Sequence, residues 1–403
     1  MTRTRTRLSR TTPTIHRTTP TTARTRHRAG AGLLLAGALL TGCGAQPGEI
    51  PLSEIRAESP TPTADPAVAT VTPEVLGAAE AAPAAPTPPN GLIAGRVFLD
   101  QGRLTSAIFT VTADGKTRQQ LTQPPEQTRD DHPAWSPDGT TIAFDRTSGD
   151  SRGRLWITGV DGRKAQQLGA LCEADAPDCL NEAETTPAWS PDGTRLAFTR
   201  AWGESDPEDD QIQYSDLYVI ATDGTTAQRI TFLNNDVPYS GDVTDPAWSP
   251  DGTQIVFSYR TSATGQPANS RALYLVNADG TGLHRLTPWE LRAGERASWS
   301  PDGGHILFTS YPGDTDNAPG GGIYTVQPDG TAIEALTPDP SDTTYGNATY
   351  SPDGTTIAFA QAAAGGTSEL YTMNSDGTDV ARLSDTPGHE EGRPTWGTAQ
   401  PQR

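Results

Sequence analysis

Five aspartates recur in one short setting that could, by residue type, support carboxylate chemistry. Paired carboxylates perform acid–base catalysis or bind hard cations such as calcium. Each aspartate stands third in Ser-Pro-Asp-Gly, whose other residues are those that a β-turn requires. One copy per repeat would also keep the carboxylates apart, so we interpret the set as structural: Asp138, Asp192, Asp251, Asp302 and Asp353.

Ser151 is a candidate nucleophile, because Gly149-Asp-Ser-Arg-Gly153 matches the Gly-x-Ser-x-Gly pattern of hydrolases. That pattern acts on a sharp strand-to-helix turn, with an Asp and a His that follow in the chain. Here a polar loop between two predicted strands surrounds it, and no helical pattern follows. We therefore assign no catalytic residue.

Metal chemistry has two sets of candidate ligands. The first is four histidines, of which only His132 and His389 could approach one rim by their repeat positions; the others are His284 and His305. The second is two acidic loops, at 206–210 and 314–316, which lack the spacing of a calcium loop. We predict neither a metal nor an organic cofactor.

Cys43 points to export. It follows an Arg-rich start and an apolar run of 12 residues, 29–40, which is shorter than the about 20 residues of a membrane-spanning helix. Leu40-Thr41-Gly42-Cys43 resembles the lipobox of bacterial lipoproteins, whose signal peptide is cut before a cysteine that is then lipidated. We predict a signal peptide at 1–42 and a lipid anchor on Cys43; an ordinary signal peptide with a chance cysteine is the alternative.

The other two cysteines, Cys172 and Cys179, lie in one short polar segment. In an oxidising compartment such a pair usually forms a disulfide, which would contribute roughly 2–3 kcal/mol by constraining the unfolded chain. A two-cysteine metal site is the alternative, but no histidine lies nearby. We predict a disulfide.

Charge and composition bound the partners. The net charge is −19, and loss of residues 1–42 with their eight Arg would leave about −27. Such a body repels phosphate backbones and anionic lipid surfaces, which excludes nucleic acid as a partner. Residues 44–90 include ten Pro, so we predict that 43–90 is a disordered tether. The lipid on Cys43 would then be the contact of the protein with the membrane.

A repeat fills residues 91–397. Pro-Ala-Trp-Ser-Pro-Asp-Gly-Thr begins at 133, 187 and 246; variants begin at 297 and 348, and Pro394-Thr-Trp-Gly397 is a truncated copy. The aromatic residues of the six copies are 54, 59, 51, 51 and 46 residues apart. Each turn joins two alternating strands, and an Asp-Gly hairpin joins two more, which is the pattern of a four-stranded propeller blade.

The two turn types are out of phase at the chain ends. The hairpin at Asp114 has no Ser-Pro-Asp-Gly before it, and Trp396 has no Asp-Gly after it. We therefore predict an all-β, six-bladed β-propeller of four-stranded antiparallel blades, in which the C-terminal strand joins the first blade and closes the ring; 398–403 is a tail.

The repeat resembles the TolB-type, WD-repeat-like propeller family, whose units carry this Pro-x-Trp-Ser-Pro-Asp-Gly core. The resemblance covers residues 91–397 and implies the fold, since one propeller scaffold supports many functions. The family's namesake has an additional N-terminal α/β domain, whereas this chain has a lipobox and a tether. We therefore take only the fold from the resemblance.

One position of the repeat varies while its surroundings do not. The residue three before each repeat aromatic should begin the innermost strand, beside the central channel. These six residues are all polar, and only the two arginines are alike: His132, Thr186, Asp245, Arg296, Asn347 and Arg393. The variation indicates that they form a channel mouth adapted to a ligand. The alternative is that they face solvent and vary freely.

These patterns favour an exported, monomeric, lipid-anchored propeller that binds or scaffolds a protein or peptide at the cell envelope. A hydrolase or lyase acting on a glycan or peptide in the central funnel is the alternative. The patterns leave open the ligand and which membrane holds the anchor.

Overall fold

A computed structural model describes residues 89–399 apart from several gaps: 150–151, 164, 169–181, 203–213, 226, 234–240, 262–269, 311–320, 338–342, 364–365 and 387. The described part belongs to the second of two compact units, 81–403. Several predicted features lie outside it: the signal peptide, Cys43, nearly all of the tether, Ser151, both acidic loops, the pair Cys172 and Cys179, and the end of the tail.

Short β-strands make up almost all of the regular structure. In chain order the first seven are β1 (Asn90–Phe98), β2 (Ser106–Val111), β3 (Arg118–Gln120), β4 (Thr128–Trp135), β5 (Thr141–Ser148), β6 (Arg154–Gly159) and β7 (Gln166–Gln167). The next eight are β8 (Ala183–Trp189), β9 (Arg195–Trp202), β10 (Tyr214–Ala221), β11 (Ala227–Arg229), β12 (Gly241–Trp248), β13 (Gln254–Thr261), β14 (Ser270–Asn277) and β15 (His284–Arg285).

The remaining strands follow a 3₁₀ turn, Trp289–Leu291. They are β16 (Ala293–Trp299), β17 (Ile306–Ser310), β18 (Ile323–Val326), β19 (Glu334–Ala335), β20 (Thr343–Tyr350), β21 (Thr356–Ala363), β22 (Glu369–Asn374), β23 (Ala381–Arg382) and β24 (Glu391–Thr398). Within the described residues, no helix is long and apolar enough to cross a membrane.

Four sheets consist of four antiparallel strands each, taken in chain order: β8–β11, β12–β15, β16–β19 and β20–β23. The other strands form one eight-stranded sheet from two such groups, β24-β1-β2-β3 and β4–β7, joined by a single parallel bridge between Ser106 and Arg129. β24 pairs antiparallel with β1, with Trp396 opposite Ile93. The prediction of an all-β chain built from four-stranded antiparallel sheets is confirmed.

The Ser-Pro-Asp-Gly segments form the tight turns that their residues predict. In the first copy, the hydroxyl of Ser136 donates to Asp138 Oδ1 at 2.6 Å, and the same oxygen accepts the N–H of Thr140 at 3.0 Å. Gly139 has a φ of +67° and donates its N–H to the Ser136 carbonyl oxygen at 2.9 Å. The Ser136 hydroxyl, foremost among these donors, holds the pKa of Asp138 below its usual value. The same Ser-to-Asp hydrogen bond recurs in the other four copies, so the prediction that the recurring aspartates belong to β-turns is confirmed.

The repeat tryptophans connect successive sheets. The indole N–H of Trp189 donates to the carbonyl oxygen of Ala134, and Trp248 and Trp299 make the same 3.2 Å bond to the sheet before theirs. One phenylalanine per group is fully buried and belongs to the same hydrophobic cluster as a repeat aromatic residue: Phe109, Phe144, Phe198, Phe257, Phe308 and Phe359. Three tryptophans of the repeat, Trp189, Trp248 and Trp299, are therefore inter-sheet contacts.

Candidate functional site

The six channel-mouth candidates share one unusual backbone conformation. All have a positive φ, between 50° and 55°: His132, Thr186, Asp245, Arg296, Asn347 and Arg393. Each lies at a β-bulge inside the first strand of its group, because residues on this strand lose register with the second strand. We expected these residues to begin the strand; the bulge instead lets the strand continue through a left-handed residue.

The bulge on β16 is wider than the others. On β4, two residues lie between the paired Asp131 and Ala134, and they face one residue of β5. On β16, three residues lie between the paired Gly294 and Ser298. Two of those three, Glu295 and Arg296, have a positive φ, of 48° and 53°. Arg296 therefore leaves its strand at a point where the repeat itself is altered.

The structure brings four of the six candidates to one cavity of about 240 Å³, lined by His132, Thr186, Asp245 and Arg296. Four repeat indoles, of Trp135, Trp189, Trp248 and Trp299, also line it. Arg393 joins this group through an ion pair with Asp245, at 3.7 Å between Nη1 and Oδ1. Asn347 does not line this cavity, and its buried Oδ1 has no hydrogen-bond partner.

Asp131 is the centre of an ion-pair network beside the cavity. Its Oδ1 lies 3.2 Å from Nε of Arg393, and its Oδ2 lies 3.1 Å from Nη1 of Arg96. Burial alone would raise the pKa of Asp131, but the charges of His132, Arg393 and Arg96 outweigh it and hold this pKa well below its usual range. Burial would likewise lower the pKa of Arg393, but Asp131 and Asp245 raise it. Both groups are therefore charged at neutral pH.

Asp145 connects two neighbouring first strands. Its Oδ1 lies 2.6 Å from Nδ1 of His132 and accepts the backbone N–H of Thr186 at 3.2 Å. The Thr186 hydroxyl lies 2.8 Å from that of Thr199. His389 lies elsewhere, with Nδ1 2.9 Å from the carbonyl oxygen of Phe98. In the part of the chain described here, no cluster of His, Cys, Asp and Glu has the composition to hold a metal ion.

Arg296 reaches from β16 to two other first strands. Its Nη1 donates to the carbonyl oxygen of Arg393 on β24 at 2.9 Å, and its Nη2 donates to that of Pro133 on β4. Burial lowers the pKa of Arg296 to about 10, although Asp245 acts in the opposite direction. The guanidinium therefore lies across the cavity mouth as a partly desolvated cation.

Sequence reasoning did not identify Asp145 or Arg96, although the repeat holds a signal for both. They occupy one position of the second strand, at which the other groups have small residues: Thr199, Ser258, Thr309 and Ala360. A charged residue at a position that is otherwise small distinguishes two groups of strands, β4–β7 and β24-β1-β2-β3. These are the groups that supply most of the ion pairs, so the position could have identified them.

Comparisons with known proteins agree with the fold. The chain is 28% identical over 217 residues to a protein of Bacillus subtilis (strain 168) named "Uncharacterized peptidase YuxL", and the match spans 46% of this chain but only 30% of that relative. Among solved structures, TolB from Acinetobacter baumannii matches with a TM-score of 0.55 and 18% identity, over 76% of this chain and 66% of that one. A putative TolB from Agrobacterium tumefaciens matches with a TM-score of 0.52 and 21% identity, over 74% and 91%.

These identities show a shared fold and no more. The model of the TolB beta propeller domain matches residues 186–400, just over half of the chain, and its match includes the complete Ser-Pro-Asp-Gly copies from the second onward. The chain therefore belongs to the TolB beta propeller domain family.

Proposed function

We propose that this chain is an exported, lipid-anchored propeller of six blades that binds a protein or peptide at its channel mouth. The blades are β24-β1-β2-β3 (blade 1), β4–β7 (blade 2), β8–β11 (blade 3), β12–β15 (blade 4), β16–β19 (blade 5) and β20–β23 (blade 6). The proposal concerns the closure of the ring, the ligand and the anchor, and different observations support each.

Contacts between blade 6 and blade 1 support a closed ring. Phe109 and Val97 of blade 1 share one hydrophobic cluster with Leu370 and Leu383 of blade 6. A Cβ on Gly115 of blade 1 would lie 2.5 Å from the carbonyl oxygen of Leu383. The same close approach occurs between blades 5 and 6, since a Cβ on Gly377 of blade 6 would lie 2.4 Å from the carbonyl oxygen of Leu336 in blade 5. The contact between blade 6 and blade 1 is therefore of the same kind as the contact between blade 5 and blade 6.

The observation that carries the binding proposal is that four of the six mouth positions combine a positive φ with a side chain that disfavours it. A positive φ suits Gly, and to a smaller degree Asn and Asp, because their side chains tolerate it. Arg, His and Thr pay a steric cost there of about 1–2 kcal/mol per residue. These residues nevertheless occupy four of the six positions, including those of His132, Thr186 and Arg296. Their side chains are best explained by what they contact, in this chain or in a ligand.

The anchor rests on Cys43, which follows the predicted signal peptide, and the tether 43–90 would separate the propeller from the membrane. Intact mass of the protein from envelope fractions tests it: loss of residues 1–42 plus an acyl modification is expected, and Cys43→Ser should abolish the modification.

The pair Cys172 and Cys179 is proposed as a disulfide. Alkylation without a reductant should then leave both cysteines unlabelled.

The curated relative has the word peptidase in its name, but the match spans 30% of that protein. We take no activity from it. Turnover of a glycan or peptide by the purified chain would favour the enzyme alternative over binding.

The binding proposal is tested by capture from envelope extract with the tagged full-length chain. The variant His132→Gly/Asn347→Gly removes two mouth side chains at φ values of 50° and 53°, where glycine keeps the backbone. Its matched control, Ala332→Gly/Asp379→Gly, changes two exposed residues with φ values of 50° and 55°, in the turns before the outer strands. We expect a partner that the control captures and the mouth variant loses. Equal recovery of every protein by both variants would contradict the proposal.

A further inference from the structure

Arg296 is the mouth residue whose side chain bonds to the backbone of two distant blades. It comes from blade 5, and it donates to carbonyl oxygens of Arg393 in blade 1 and Pro133 in blade 2. His132 and Thr186 instead bond within their own blades, to Asp145 and Thr199. Arg296 therefore makes contacts that the repeat does not require.

The two acceptor oxygens belong to residues at which the strand pairing is interrupted. Arg393 and Pro133 are both bulge residues, without a paired residue in the neighbouring strand. Carbonyl oxygens at such points accept hydrogen bonds from a planar guanidinium or from an ammonium group. Together they accept two N–H donors of one guanidinium, that of Arg296.

The surrounding charges favour a cation at the same point. The guanidinium of Arg296 interacts with the carboxylates of Asp245, Asp131 and Asp145, and with one like charge, that of Arg393. The chain as a whole is strongly acidic, with a net charge of −19. A basic ligand would therefore be attracted to this surface before it reaches the mouth.

The backbone of blade 5 departs from the repeat at this residue. The β16 bulge holds one residue more than the bulge on β4, and Glu295 and Arg296 both adopt a left-handed conformation. Two consecutive non-glycine residues in this region are strained and persist only when their surroundings hold them. In this chain the two backbone acceptors of Arg296 supply such a restraint.

We propose that the channel mouth is a receptor for the guanidinium or ammonium group of a basic peptide side chain, and that Arg296 occupies it as an internal competitor in the free chain. An incoming Arg or Lys side chain would displace Arg296 and take over the carbonyl oxygens of Arg393 and Pro133. This inference rests on the proposed peptide-binding function and specifies its ligand class.

The test uses the full-length chain, its Arg296→Gly variant and a matched Arg103→Gly control. Arg103 has a φ of 54°, and its side chain is 65% exposed outside the cavity, so the control removes the same charge from the same conformation. The probes are N-acetyl-arginine amide and its neutral analogue N-acetyl-citrulline amide, titrated by calorimetry and by the fluorescence of the cavity indoles.

We expect Arg296→Gly to bind the arginine probe about ten-fold or more tightly than the wild type and the control, because removal of an internal competitor raises the binding-competent fraction. The citrulline probe should bind all three proteins weakly. Equal affinity of the three proteins for the arginine probe would overturn the proposal, as would equal binding of the two probes by Arg296→Gly.

A second measurement keeps the inference testable if Arg296→Gly folds poorly. Millimolar methylguanidinium should raise the Tm, or the refolding yield, of Arg296→Gly more than that of Arg103→Gly. No difference would mean that the receptor does not bind the free cation, and would also overturn the inference. If the arginine probe fails while partner capture still depends on His132 and Asn347, the inference falls and the proposed function stands. If capture is also independent of those residues, both fall.

Discussion

Asn90 and Asp353 exchange two hydrogen bonds although they are 263 residues apart. Nδ2 of Asn90 donates to Oδ2 of Asp353 at 2.8 Å, and Oδ1 of Asn90 accepts the backbone N–H of Asp353 at 3.1 Å. Asn90 begins β1, and Asp353 is the third residue of the last Ser-Pro-Asp-Gly turn. The truncated repeat at 394–397 has no such turn, so Asn90 supplies polar contacts where blade 6 meets blade 1.

The Asn90→Ala variant should lower the free energy of unfolding by about 0.5–1.5 kcal/mol, because it removes two hydrogen bonds to the half-buried Asp353. Urea unfolding followed by circular dichroism measures the loss. The control is Asn374→Ala, whose side chain is exposed and bonds only within its own turn, to Thr378 and Asp379. A loss no larger than that of the control would mean that the contact between Asn90 and Asp353 contributes little to stability.

Trp189 and Trp135 form a matched pair, because both stand in Pro-Ala-Trp-Ser-Pro-Asp-Gly-Thr. The indole N–H of Trp189 donates to Ala134 in the preceding blade, whereas the buried Nε1 of Trp135 has no hydrogen-bond partner. Replacement by Phe removes similar volume at both sites, so the difference reports the inter-blade hydrogen bond. We expect Trp189→Phe to destabilise the chain by about 1 kcal/mol more than Trp135→Phe in urea unfolding. Equal losses would assign the role of these tryptophans to packing alone.

The ring of Trp135 lies directly against Gly397. The Cα of Gly397 lies so close that an added Cβ would be 2.6 Å from Cδ2 of the Trp135 ring. Gly397→Ala should therefore displace the indole and lower stability by about 1–3 kcal/mol. Gly159→Ala is the control, because its Cβ would approach only the Asp161 carboxylate, at 3.2 Å. If the two variants have the same Tm, the ring can move without loss.

Much of the fold follows from the repeat, because turn residues dictate local geometry. Ser-Pro-Asp-Gly and Asp-Gly fixed where the strands are joined, and the phase between them predicted the observed pairing of β24 with β1. The bulges were not predictable in this way. A left-handed residue usually reveals itself as Gly, Asn or Asp, whereas here four of the six positions hold Arg, His or Thr.

The candidate site was predicted as a set of positions but not as a network. The six residues are read from one column of the repeat, and the structure gathers four of them at one cavity. Asp131, Asp145 and Arg96 come from other columns, and their contacts depend on how neighbouring blades approach. The hydrogen bond from Arg296 to Pro133 depends on the extra residue in the β16 bulge and on where blade 2 lies. The spacing of the repeat in the sequence predicts neither of them.

The buried carboxyl of Glu184 should make the stability of the chain depend on pH. Its side chain is 3% exposed, and its Oε2 has no hydrogen-bond partner. Burial raises the pKa of this carboxyl, and the charges of Arg154 and Arg200 oppose the rise without cancelling it. Because the pKa in the folded state exceeds that in the unfolded state, the folded chain binds the proton more tightly. The ionised form therefore costs stability above the folded pKa, and this cost is absent below the unfolded pKa of about 4.3.

The Glu184→Gln variant replaces the carboxyl with a group that does not ionise. Its stability relative to the wild type should rise as the pH increases from about 4 towards 7, since only the wild type then carries the buried charge. Urea unfolding of both proteins across this range measures the difference, and Glu334→Gln on the exposed outer strand β19 serves as the control. A difference that stays constant with pH, or that falls as the pH rises, would mean that Arg154 and Arg200 fully stabilise the ionised carboxylate in the folded chain.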